Sequence, residues 1–165
     1  MLVFLVGFMG SGKSTVGKAL AARLGVPFVD LDEQIELRAG TQIREIFRNY
    51  GEARFRRLEC DELRRAATTA DGVVALGGGA FCSDENQAIV RAAGVSVWLE
   101  VPIGVLIRRC SGDPSRPLAT GRQEMSRLLE VRRTFYEAAD IRVDGDAEVD
   151  AVVEEILRRV SLTAV

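Results

Sequence analysis

The chain has 165 residues, 47% hydrophobic and 28% charged, with a net charge of −2 and a pI near 5.4. That balance suits one domain with a full core, and it excludes overall attraction to nucleic acid or to an anionic membrane surface. No apolar run is long enough to cross a bilayer, and Cys60, Cys82 and Cys110 lack C-x-x-C spacing, so a reducing cytoplasm is expected without a disulfide framework or zinc site.

The first apolar run, Leu2–Val6, reads as a strand and not as a signal peptide. Gly7-Phe8-Met9-Gly10-Ser11-Gly12-Lys13-Ser14 follows, a G-x-x-x-x-G-K-S phosphate loop, and helix-compatible residues 15–24 lead out. Strand, glycine loop and helix in that order cradle nucleotide phosphates. Backbone N–H groups turn inward, and the helix N-terminus adds its dipole. Lys13 reaches the outer phosphates, and the Ser14 hydroxyl suits Mg²⁺. Of 22 basic residues only Lys13 and Lys18 are lysines, so a compact point charge stands where the chemistry requires one.

Residues 26–29 form a short apolar run ending at Asp30-Leu31-Asp32. Helix signals cover 33–38, with Gly40 as the stop, then 42–49 behind a Thr41 cap, then 52–70. Residues 73–76 read as a buried strand running into Gly77-Gly78-Gly79. Ser83 or Asp84 caps a helix to residue 93, 95–99 is another strand, and Pro102 fits the first turn of the next helix. Glycines and prolines break the pattern between 111 and 122, which reads as a mobile loop. A helix over 123–139 and a strand over 141–143 follow. The last helix carries Val149, Val152, Val153, Ile156, Leu157 and Val160 as an apolar stripe for core packing. Alternating strands and helices predict an α/β fold with a parallel sheet covered on both faces. The phosphate loop, Asp30-Leu31-Asp32 and the triple glycine then meet in one cleft at the carboxyl ends of the strands.

Asp30 and Asp32 stand two apart just past a strand, so alternation predicts that they face the same side. Beside a nucleotide one can hold the metal while the other takes the proton of an acceptor hydroxyl; alternatively, one caps the next helix. Three consecutive glycines are costly in entropy, which points to close approach of a ligand or to a tight turn. Arg54, Arg56 and Arg57 sit near a helix start, where cations oppose the dipole, and Arg132-Arg133 lie on a later helix. Each group is either a carboxylate or phosphate grip or a solvated surface. Arg116 in the Gly/Pro-rich loop suits a lid that closes over a phosphoryl transfer, while Arg108 and Arg109 suit either that lid or a helix C-terminus. With no histidine present, proton transfer falls to a carboxylate, Lys, Tyr, Cys or water.

Together these residues resemble the shikimate kinases, small P-loop enzymes of the nucleoside-monophosphate-kinase-like group. The likeness spans nearly the whole chain: the phosphate loop, Phe28-Val29-Asp30-Leu31-Asp32, Gly51-Glu52 leading to Phe55-Arg56, Leu76-Gly77-Gly78-Gly79-Ala80, Arg116-Pro117-Leu118, and Arg132 four residues before Tyr136. The resemblance implies a three-layer fold whose five-stranded parallel sheet has the order 2-3-1-4-5. It implies one domain over 1–165, with a mobile lid at about 111–122 and an acceptor region at about 31–60. It implies ATP-dependent phosphorylation of the shikimate 3-hydroxyl. Gly10, Ser11, Gly12, Lys13, Ser14 and Thr15 would bind ATP, with Arg109 against the adenine and Arg116 closing from the lid. Ser14 and Asp30 would hold Mg²⁺. Asp32, Arg56, Gly78, Gly79 and Arg132 would bind shikimate, and Lys13, Asp32 and Arg116 would carry the chemistry. A monomer is expected, with ATP and shikimate as partners and neither nucleic acid nor membrane. A kinase for gluconate or a nucleoside monophosphate, and a non-catalytic nucleotide-binding module, are the competing readings.

Overall fold

Alternation along one strand explains the layering of this protein. The computed structural model describes residues 1–111 and 121–163. Its strands are Leu2–Val6 (β1), Phe28–Asp30 (β2), Gly72–Ala75 (β3), Gly94–Glu100 (β4) and Ile141–Asp144 (β5). Its helices are Lys13–Leu24 (α1), Leu31–Ala39 (α2), Ile43–Ala66 (α3), Asp84–Ala93 (α4), Ile103–Cys110 (α5), Arg122–Tyr136 (α6) and Val149–Thr163 (α7). β1 is buried along its whole length. Leu2, Phe4 and Val6 join one core, and Val3 and Leu5 join another. A strand apolar on both sides belongs in the middle of a sheet with helices above and below.

The observed order is β2-β3-β1-β4-β5, with every described pairing parallel. This is the expected three-layer arrangement. Val16 and Leu20 of α1, with Val152, Val153, Ile156 and Val160 of α7, cover the Val3/Leu5 face. The last helix therefore uses its stripe for packing, as its spacing requires. Residues of α3, α4, α5 and α6 cover the other face. A small third cluster of Ile35, Ile46 and Phe55 pins α2 to α3. At the amino-terminal edge of the sheet, Asp140 accepts hydrogen bonds from the Ser96 N–H (2.8 Å) and hydroxyl (2.6 Å). The Ser96 hydroxyl oxygen in turn accepts from the Asp140 N–H at 3.0 Å, which clips β5 to β4.

Several boundaries differ from the sequence expectation. β2 starts at Phe28, and α2 starts at Leu31 rather than residue 33, because Asp30 caps it by accepting from the Asp32 and Glu33 N–H groups. Residues 43–66, labelled α3, are two helical stretches that meet at a non-helical Gly51 (φ 79°, ψ 172°), in keeping with the separate helices expected over 42–49 and 52–70. The end of α3 falls at Ala66 because the Thr68 and Thr69 hydroxyls donate to the carbonyls of Arg65 and Ala66. Pro102 caps α5 from outside, and α6 ends at Tyr136, three residues early. No helix among the described residues is long and apolar enough to cross a membrane. None of the three cysteines is in a disulfide, and Cys60 and Cys110 are buried.

Candidate active site

The carboxyl ends of β1, β2 and β3 open onto one cavity of about 560 Å³. Its walls include Lys13, Ser14, Asp30, Asp32, Arg56, Glu59, Gly77, Gly78, Gly79, Arg109 and Arg132. The phosphate loop forms one end. Gly12 caps α1 in the left-handed region (φ 91°), a conformation that a side chain would strain. The Lys13 ammonium donates to the carbonyls of Gly7 and Phe8, both at 2.9 Å, and holds the loop closed around the start of α1.

Asp30 links the loop to the rest of the site. One carboxylate oxygen accepts from the Ser14 hydroxyl, and the other accepts from the Asp32 N–H at 3.1 Å. Of the roles weighed for it, the helix cap is present, and the same carboxylate also bonds Ser14, the other residue expected at the metal. Asp32 does not follow strand alternation, because it lies in the first turn of α2. It still faces the cavity that Asp30 lines. Burial, with the Asp30 charge second, pushes Asp32 up to about 6, and the Lys13 cation opposes the rise. Its Oδ1 is buried and lacks a hydrogen-bond partner among the described residues.

The far wall is built from opposite charges. Arg56 donates to Glu59 at 2.8 Å and to Glu52 at 3.1 Å. Glu59 is 1% exposed, and its second oxygen is buried without a partner among the described residues. Burial pushes Glu59 up to about 7, against the pull of Arg56. Arg132 is 5% exposed and lies 5.7 Å from the Phe8 ring centroid. Arg133, next in sequence, turns away to Glu100 at 2.9 Å and Glu137 at 3.1 Å.

The triple glycine fits between these groups because it has no side chains. A Cβ at Gly77 would lie 2.8 Å from Asp32 Oδ1 and 2.9 Å from Glu59 Oε1. One at Gly78 would lie 3.3 Å from Arg132 Nη1, and one at Gly79 would lie 2.5 Å from Arg56 Nη2. Close approach, and not only a turn, requires glycine here.

Every expected site residue among the described ones reaches this cavity or its phosphate loop. Gly10, Gly12, Lys13, Ser14, Thr15, Asp30, Asp32, Arg56, Gly78, Gly79, Arg109 and Arg132 line it, and Ser11 is buried inside the loop. Arg109 donates to the Gly10 carbonyl at 3.2 Å and pairs with Asp146 at 3.1 Å. Arg54, Arg57 and Arg108 are exposed and line no part of the cavity. Arg116 lies outside the described residues. Sequence reasoning gave no role to Glu59. The i,i+3 spacing of Glu59 from Arg56 was its one local signal.

A family model described as shikimate kinase matches residues 9–161. The chain belongs to the shikimate kinase family. The shikimate kinase of Salinibacter ruber is 46% identical, with the match covering 99% of this chain and 86% of that one. The crystal structure of shikimate kinase from Aquifex aeolicus superposes with a TM-score of 0.91 at 38% identity, over 100% and 99% of the two chains. Shikimate kinase from Acinetobacter baumannii, in complex with shikimate, gives 0.93 at 33% identity, over 98% and 93%. A gluconokinase from Sinorhizobium meliloti, at 22% identity and a TM-score of 0.63, shares the fold alone. As a shikimate kinase family member, the chain catalyses ATP-dependent phosphorylation of shikimate. The gluconate, nucleotide-acceptor and non-catalytic readings are not favoured.

Proposed function

We propose that this single cavity carries both halves of the transfer. ATP phosphates lie on Gly10, Ser11, Gly12, Lys13, Ser14 and Thr15, and shikimate lies between Asp32 and the pair Arg56 and Arg132. The observation that carries this reading is Arg132. Its guanidinium is buried, lines the cavity, and has no ion-pair partner among the described residues. A buried cation is expensive until an anion reaches it, and a carboxylate meets it with bidentate geometry. The shikimate complex of the Acinetobacter relative supports the same acceptor.

The 3-hydroxyl faces Asp32, whose buried Oδ1 takes its proton. The 3-oxygen forms a bond to the γ-phosphorus as the bond to the β,γ-bridging oxygen breaks, and ADP leaves. Lys13 stabilises the charge on the outer phosphates. Gly78 and Gly79 N–H groups hold the acceptor. Ser14 and Asp30 fit Mg²⁺, because their converging hard oxygens are the small protein set used by an ion that keeps several waters. When bound, it neutralises charge on the β- and γ-phosphates. Arg109 lies against the adenine, and Arg116 neutralises transition-state charge from the lid at 111–122. The acceptor region at 31–60 and that lid belong to one domain. The catalytic unit is a monomer in this reading, in a reducing cytoplasm that suits cysteines outside any disulfide.

Steady-state rates with Mg-ATP and a panel of shikimate, gluconate and nucleoside monophosphates test the acceptor. Phosphorus NMR of the product tests the position. Shikimate should lead in kcat/KM, with phosphate on the 3-oxygen. Another acceptor ahead by tenfold, or phosphate on a different oxygen, overturns the arrangement.

A further inference from the structure

Tyr136 touches none of the reacting groups, yet it is fully buried with a polar tip. Its ring packs 6.0 Å from Trp98, centroid to centroid, which anchors it in the core. Its hydroxyl donates to the Gly78 carbonyl and feels the charge of Arg132, one helical turn earlier on α6. Burial pushes the phenol up, so it remains a protonated donor at neutral pH. Gly78 itself lies against the same arginine and against the phosphate loop. A Cβ there would stand 3.3 Å from Arg132 Nη1 and 3.2 Å from the Met9 nitrogen. The guanidinium also lies over the Phe8 ring. An arginine carries about 2 kcal/mol of rotamer entropy, and neither a ring face nor a glycine fixes its angle. A hydroxyl fixed on the Gly78 carbonyl beside that guanidinium can.

We propose that Tyr136 is a positioning residue for the acceptor carboxylate: its hydroxyl locks the Arg132 guanidinium to the Gly78 backbone, at a set distance from the phosphate loop. This rests on the assignment of Arg132 to the shikimate carboxylate. Tyr136 then acts through Arg132 alone. It should affect shikimate and leave ATP untouched.

Tyr136→Phe keeps the ring and its contact with Trp98 and removes only the hydroxyl. The expected result is a rise of about tenfold in KM for shikimate, the cost of one hydrogen bond. KM for ATP and kcat should stay within about threefold. Arg132→Ala and the double variant complete a cycle. Adding Tyr136→Phe to Arg132→Ala should raise the shikimate KM no further. An unchanged KM in Tyr136→Phe, or two effects that multiply, overturns the proposal while leaving Arg132 in its role. An unchanged KM in Arg132→Ala removes the assignment beneath it as well. Should Tyr136→Phe fail to fold, 3-fluorotyrosine in the unaltered chain gives two ¹⁹F resonances, one from exposed Tyr50 and one from Tyr136. Saturating shikimate should shift the buried one. A resonance that stays in place overturns the proposal.

Discussion

Replacing Asp32 with Asn should stabilise this fold while disabling the enzyme. Burial and the neighbouring Asp30 charge raise the Asp32 carboxyl from the ordinary 3.8 to about 6. Between those two values the folded chain holds more protons than the unfolded one, so stability falls as pH rises. Above about 6 the whole penalty is present. Two pH units at 1.36 kcal/mol each amount to about 3 kcal/mol. Asn keeps the shape and removes the charge. For a chain of 165 residues, that gain corresponds to a rise of roughly 5–10 °C in Tm at pH 8. At pH 5 the folded carboxyl is already largely protonated, so the gain should shrink to roughly half. Thermal melts of both proteins by circular dichroism, at the two pH values, provide the measurement. A Tm at pH 8 that does not rise, or a rise of equal size at both pH values, refutes the claim that a buried charge sets the cost.

In the unaltered enzyme, kcat/KM should fall as pH drops through about 6, because Asp32 must be ionised to accept a proton. The same Asp32→Asn variant should lose roughly 10²–10⁴ in kcat, with ATP affinity by calorimetry within about threefold. Arg56→Ala should raise the shikimate KM by roughly 10- to 100-fold and leave the ATP KM in place; a collapse of ATP affinity would mean this arginine serves the nucleotide. Gly79→Ala should move Arg56, since its Cβ would sit 2.5 Å from Nη2. A flexible side-chain end can yield, so Tm should hold within about 2 °C while the shikimate KM rises about tenfold. Ser14→Ala should raise the Mg²⁺ concentration needed for half-maximal rate by about tenfold, without altering shikimate binding in a direct titration.

The sheet was legible because β1 is apolar on both sides and its loop carries an unambiguous motif. The order of the outer strands came from the family resemblance and not from the residues themselves. The site was legible where chemistry concentrates in short segments, at Lys13-Ser14, Asp30 with Asp32, and the three glycines. Asp32 was placed in the right cavity for the wrong reason, since the Asp30 cap starts α2 before strand alternation can apply. The choice between Arg132 and Arg133 depends on the rotational phase of α6. Met125, Arg132 and Tyr136 are its buried residues, at spacings of seven and four, so the phase was written in the sequence for a reader who counted it. Glu59 was harder to see. In an arginine-rich helix it looks like one more solvated acid, and only packing of α3 against the sheet core and the glycine turn removes it from water.

The clip between Ser96 and Asp140 lies where β5 begins, and its exposed Asp140 marks a rim at the end of that strand away from the catalytic hollow. Durability is thus handled between β4 and β5, and turnover at the carboxyl ends of β1, β2 and β3. Engineering for a longer working life, or tethering the enzyme to a support, can be confined to that remote rim without disturbing the catalytic geometry.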